Sequence, residues 1–125
     1  MSEMFPHTFQ DGDGIHSKPS PYALDDWWRA TAEYDMQRTV PKTMLYGSRG
    51  EDLVAIGRTM EDIGNMGHTS MAQSAELGVY FYMSGKMARA AEAFRHGNLP
   101  SYDTWFDLTI YLLIGRRIRE HGQWG

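Results

Sequence analysis

Cysteine is missing altogether, which removes disulfides, zinc–thiolate sites and thiol catalysis from the chemistries open to this chain. An excess of positive charge is missing too: 12 Lys and Arg stand against 16 Asp and Glu, for a formal net charge of −4. That balance argues against a basic footprint for a nucleic-acid polymer and against docking on an anionic membrane, while leaving a single nucleotide within reach. No run approaches the roughly 20 apolar residues of a membrane span. The N-terminus lacks the basic-then-apolar order of a signal peptide, so a soluble cytoplasmic protein is expected. No segment alternates as a strand, and 125 residues suit one domain with a single core.

Residues 1–19 hold Pro6, Gly12, Gly14 and Pro19 with no sustained periodicity, and read as an irregular N-terminal arm ahead of a helical domain over residues 20–125. Asp11-Gly12-Asp13-Gly14 opens like a calcium loop, but no third ligand follows in register and no Glu closes it. Ser20 as a cap, Pro21 at the first helical position and Asp25 and Asp26 in the first turn predict a helix from there. Pro41 is expected to end it by Val40. The Trp27-Trp28 pair reads as packing in a core or between subunits, with an aromatic shelf for a base as the sharper alternative.

Lys42 to Gly50 carries two glycines, two cations and hydroxyls. It reads as a solvated loop, or as a segment that offers N–H groups and the charge of Lys42 or Arg49 to a phosphate. A helix is expected over Glu51 to Ile63, with Leu53, Ile56, Met60 and Ile63 inward, broken by Gly64-Asn65-Met66-Gly67. Thr69 or Ser70 can cap a third helix reaching about His96, where Gly97 and Pro100 end it. Its apolar stripe is predicted through Leu77, Tyr80, Met83, Met87, Ala90, Ala91 and Phe94. Ser101 can cap a fourth helix, closed near Gly122 after Arg116, Arg117, Arg119 and His121. Its middle, Leu108 to Ile114, is apolar on nearly every face, which predicts a central helix or one that meets a second subunit. Four helices with short connections make an all-α four-helix bundle, dimeric or higher.

The acids with chemical promise are Glu76 on the third helix and Asp103 and Asp107 on the fourth. Carboxylates on two facing helices can hold a hard cation. The plainer reading makes them solvated or dipole-stabilising groups, and Asp103 in a first turn suits that role well. Lys86 and Arg89, three apart, share a face and can meet phosphates or the acids opposite. His68 and His96 stand at helix ends, where no neighbouring acid has the spacing of a metal or base pair.

The pieces Lys42 to Gly47, Asp52-Leu53 with Gly57, Glu76-Leu77-Gly78, and Asp103 to Leu108 with Tyr111-Leu112-Leu113 resemble the MazG-like, all-α NTP pyrophosphohydrolases. The likeness is to small phage-encoded members with a K-x-x-x-Y-G segment, and it covers roughly Ala23 to Trp124. The resemblance implies a magnesium-dependent enzyme, with manganese as a substitute, that cleaves a nucleoside triphosphate between its α and β phosphates. Such enzymes bind the metal through E-x-x-E and E-x-x-D. In this chain Val79 stands where the second Glu belongs and Thr104 where the third does, and the register that pairs Gln73 with Glu76 gains only an amide oxygen.

On that resemblance Glu76, Asp103 and Asp107 are the expected metal ligands, with Glu76 and Asp107 catalytic and facing one cavity. Lys42, Tyr46, Lys86 and Arg89 are the expected substrate contacts. The contrasting expectation is a catalytically impaired homologue that binds nucleotide, or another protein, without turnover.

Overall fold

The computed structural model describes the backbone of residues 21–46 and 49–125, and the side chains of 21–41 and 52–125. The expected N-terminal arm, residues 1–19, lies outside the described residues. Among those described there are four helices and no strand: α1 Leu24–Tyr46, α2 Arg49–Ile63, α3 Met71–Arg95 and α4 Tyr102–His121. The all-α reading is therefore right, and no helix is long and apolar enough to cross a membrane among the described residues.

Local chemistry explains most boundaries. Ser70 caps α3 through a complete capping box: its hydroxyl accepts from the Gln73 N–H at 3.2 Å, and the Gln73 side chain accepts from the Ser70 N–H at 3.4 Å. At the other end Asn98 N–H reaches the Ala93 carbonyl at 2.9 Å and Gly97 N–H reaches Phe94 at 3.0 Å, with Gly97 at φ 77°. That is a Schellman closure, and it needs the left-handed backbone that glycine adopts without a Cβ clash. Gly122 ends α4 in the same left-handed region, donating to the Ile118 carbonyl at 2.7 Å.

α1 departs from expectation at both ends. It begins at Leu24 rather than behind a Ser20 cap, its first bond running from the Trp27 N–H to the Ala23 carbonyl at 2.9 Å. It then continues through Pro41 to Tyr46. Proline removes one donor and crowds one carbonyl, and here both Pro41 and Gln37, whose carbonyl would have received that donor, are exposed to water. Within the expected Lys42 to Gly50 loop, 42–46 belong to α1 and 49–50 to α2.

The core is assembled by α2, α3 and α4. Leu53, Ala75, Val79, Ile110, Ile114 and Ile118 form its buried cluster, flanked by Val54, Met83, Phe106 and Trp124. α2 and α3 meet with almost no space between their backbones. A Cβ on Gly57 would lie 1.7 Å from the Ser74 carbonyl oxygen, and one on Gly78 would lie 2.2 Å from that of Leu53. Gly57 and Gly78 are thus the contact points of an antiparallel crossing that only a missing side chain permits.

One turn beyond Gly57 the same face of α2 carries Glu61, which is 1% exposed. Its Oε2 accepts from the Thr69 hydroxyl at 2.6 Å and the Thr69 N–H at 3.0 Å, while its Oε1 accepts from the Ser74 hydroxyl at 2.7 Å. The inward set on α2 is therefore Leu53, Gly57 and Glu61, whereas Ile63, expected inward, is 82% exposed at the helix's last position. The Thr69 and Ser74 hydroxyls, opposed by desolvation, hold the Glu61 carboxyl below its ordinary pKa.

α1 leans lightly on α4. The Arg38 guanidinium stacks 4.2 Å from the centre of the Phe106 ring and 5.3 Å from that of Tyr34. Asp35, buried at this contact, has its pKa raised by desolvation and partly restored by Arg38. Trp27, Trp28 and Tyr34 stay largely in solvent, so the tryptophan pair is not core within one chain.

Gly57→Ala is expected to lower stability by ~1–3 kcal/mol or more, as overpacking against an immovable backbone does. Gly115→Ala, whose Cβ would meet only Val79 Cγ1 at 3.7 Å, should be neutral or gain up to ~1 kcal/mol in helix propensity. Urea denaturation of both variants checks this; equal behaviour would mean that the crossing has room.

Glu61 makes stability depend on pH with a definite sign. Because its folded pKa is lowered, the unfolded chain binds the proton more readily between the two values, so stability rises with pH there. The contribution is complete above the unfolded value of about 4.3 and is lost as pH falls through the folded one. Glu61→Gln should flatten this acid limb in denaturation curves taken from pH 6 down to about pH 3, and an unchanged limb would contradict the assignment.

Candidate functional site

The short turn between α3 and α4 makes them antiparallel, so residues early in α4 meet residues late in α3. Three cross-helix contacts mark the register. Arg119 donates to Glu76 through Nε at 3.1 Å to both carboxylate oxygens and through Nη2 at 2.9 Å to Oε1. Tyr82 and Tyr111 stack with centroids 5.4 Å apart and planes within 4°. Lys86 Nζ lies 2.9 Å from Asp107 Oδ2. The hydrogen bonds from Arg119 to Glu76, and then the charge of Glu76, keep the Arg119 guanidinium even more firmly protonated.

Glu76 and Asp107 thus belong to different levels of the helix pair. Lys86, the partner of Asp107, is ten residues beyond Glu76 on α3, a rise of ~15 Å. Within one chain the two carboxylates therefore do not share the cavity expected of them, and the antiparallel register is the reason. Asp103 is exposed in the first turn of α4. No group of three or more His, Asp or Glu that could hold a metal occurs among the described residues. Arg89 is exposed, and the side chains of Lys42 and Tyr46 lie outside the described residues.

What converges instead is a small cleft at the level of the tyrosine pair. Asp52, Leu53, Tyr82, Tyr111 and Ile114 line a cavity of ≈ 240 Å³. Buried Leu53 and Ile114 contribute apolar walls, while Tyr82 and Tyr111 are partly exposed aromatic surfaces. Asp52 brings a carboxylate from the first turns of α2. Lys86 sits one helical turn after Tyr82 on α3 and Asp107 one turn before Tyr111 on α4, so both lie at the same end of the cleft. Their side chains are 26% and 35% exposed, so both ions are open to exchange with a ligand.

This arrangement joins a flat aromatic pair, a cation and two acids from three helices. Asp52 and Tyr111 stand in the segments that carry the family resemblance; the i, i+4 spacings Tyr82–Lys86 and Asp107–Tyr111 were the sequence signal that each pair shares a helix face. The two histidines also differ from expectation. His68 Nε2 meets Asp62 Oδ1 at 2.8 Å across the α2–α3 turn, and His96 Nε2 meets Glu92 Oε1 at 2.8 Å at helical i, i+4 spacing. Both pairs are exposed and close helix ends.

A second, more open depression on α1 is lined by Leu24, Asp25, Trp28 and Arg29. It is broad and shallow, and lacks the convergent elements of the tyrosine cleft. Comparison with protein-family models, with curated proteins and with solved structures finds no match.

Proposed function

We propose that this chain is a nucleotide-handling protein of MazG-like type that works as a homo-oligomer and binds a nucleoside triphosphate at the tyrosine cleft. The observation that carries the reading is the adjacency of the Tyr82–Tyr111 stack to the Lys86–Asp107 pair, with Asp52 on the cleft wall. An aromatic face takes a base by stacking, which is tolerant of base identity. At ≈ 240 Å³ the cavity is below the ~300–1,000 Å³ that encloses a drug-sized ligand, so it suits one ring system with the phosphates lying outside it, toward Lys86.

The donor set fits magnesium, or manganese in its place, only in company with phosphate. Asp107, one turn from the cleft, and Asp52, on its wall, offer the one or two carboxylates that such an ion takes when triphosphate oxygens and waters complete its shell. A bound ion of this kind neutralises phosphate charge and makes water a better nucleophile. Lys86, moving from the carboxylate to a phosphate, would exchange one ion pair for another and leave Asp107 available as an oxygen ligand.

Binding without turnover is the reading favoured here, because Glu76, the other acid the resemblance offers, is engaged by Arg119 at a distant level of the helix pair. Hydrolysis between the α and β phosphates is the second reading, favoured by the position of Asp107 one turn from the cleft.

A panel of nucleoside triphosphates with magnesium or manganese should raise the melting temperature, and Tyr111→Ala or Lys86→Ala should abolish most of that rise. For a site occupied at 100 times its Kd the stabilisation is ~2.7 kcal/mol. Pyrophosphate release measured on the same samples separates the two readings: none is expected, and release that disappears in Asp107→Ala would establish the enzyme. Absence of both stabilisation and release would remove the nucleotide from the account.

A further inference from the structure

The tyrosine cleft has an order along its length. Leu53 abuts Gly78 where α2 crosses α3, so Asp52, its neighbour in sequence, enters the cleft at the level of Gly78. Tyr82 and Lys86 follow Gly78 on α3 at successive four-residue steps, and their partners Tyr111 and Asp107 keep pace on α4. A carboxylate thus stands at one end, the stacked rings in the middle and an ammonium at the other, over a rise of ~12 Å. A nucleotide has the same order: the edge of its base, the flat ring, then the phosphates.

The two acids of the region differ in how they are engaged. Asp107 is held by Lys86 at 2.9 Å, at the end where the phosphates lie. The Asp52 carboxylate has no hydrogen bond or ion pair among the described residues, and it shares the cavity wall with apolar Leu53 and Ile114. It accepts a donor from a ligand without giving up one of its own from the protein. Stacking on tyrosine holds any base, so selection among bases falls to this group.

We infer that Asp52 reads the edge of the base and selects guanine, which makes the ligand a guanosine triphosphate. The inference rests on the nucleotide reading of the cleft and names its base. A carboxylate only accepts, through two oxygens side by side. Guanine alone among the common bases sets two N–H donors side by side, N1–H and the 2-amino group, and so satisfies both oxygens as an arginine fork does. Adenine and cytosine offer an amino group beside a ring-nitrogen acceptor, which opposes the second oxygen. Uracil and thymine set one N–H between two carbonyls, the poorest match. The ion bound with the phosphates then takes Asp107 alone, within the one or two carboxylates that magnesium uses.

Isothermal titration of the full chain with a panel of magnesium nucleoside triphosphates tests this. Wild type should bind guanosine triphosphate at least roughly tenfold more tightly than adenosine or cytidine triphosphate, as one good bidentate contact discriminates. Inosine triphosphate, which lacks only the 2-amino group, should fall between. In Asp52→Asn the carboxamide complements xanthine, whose 2-oxygen replaces that amino group, so the preference should pass from guanosine to xanthosine triphosphate. A gain of affinity for one base does not come from a misfolded chain. Equal affinity for every base overturns the role of Asp52 and leaves the nucleotide reading standing. An equal loss for every base in Asp52→Asn also overturns it, and would make Asp52 a ligand of the metal. Failure of every triphosphate to bind overturns the reading of the cleft and this inference with it.

Discussion

Everything in the described fold depends on the close approach of two backbones. α2 and α3 can cross as they do because Gly57 and Gly78 present no side chain to the Ser74 and Leu53 carbonyls opposite. Once that contact is made, the offset of the two helices is settled to a fraction of a turn, since no neighbouring residue pair could approach so closely. The Glu61 carboxylate then ties the turn between them, accepting from Thr69 and Ser74 where α3 begins. A buried acid is costly when unpaired; with three donors around it, this one specifies which way the chain must turn.

The consequence reaches the cleft through the core. Leu53, whose carbonyl abuts Gly78, also forms one wall of the cavity that holds Tyr82 and Tyr111. Ile114 forms another wall and packs in the cluster with Val79. The glycine crossing therefore sets the spacing between Asp52 on α2 and the aromatic pair on α3 and α4. The antiparallel register of α3 and α4 does the rest, placing Lys86 against Asp107 one turn from the tyrosines and Glu76 against Arg119 at the opposite end.

How far this was legible from residues alone depended on the range of the interaction. Boundaries governed by local chemistry could be read: Ser70 with Gln73 at the start of α3, Gly97 and Pro100 at its end, Gly122 after α4. Pro41 was misleading because a proline removes only one bond, and an exposed helix can carry that loss where water replaces the donor. Periodicity located the apolar positions of each helix, yet it does not say which of them a neighbour covers. That is why Tyr80 and Met87 read as core and prove exposed, and why Ile63 and Leu113 lie outside while Glu61 lies within. The acids failed to gather for the same reason: Glu76 and Asp107 each lie in the N-terminal half of a helix, and helices that run antiparallel separate those halves.

The tyrosine pair is where the account can be checked most directly, because stacking and ligand binding are read from the same resonances. In a proton NMR spectrum with specifically labelled tyrosines, the rings of Tyr82 and Tyr111 should show a mutual nuclear Overhauser effect. Both should shift on addition of a magnesium nucleoside triphosphate, while Trp27 and Trp28 stay unchanged. Rings without mutual contact, or a nucleotide that moves the tryptophans and leaves both tyrosines in place, would contradict it.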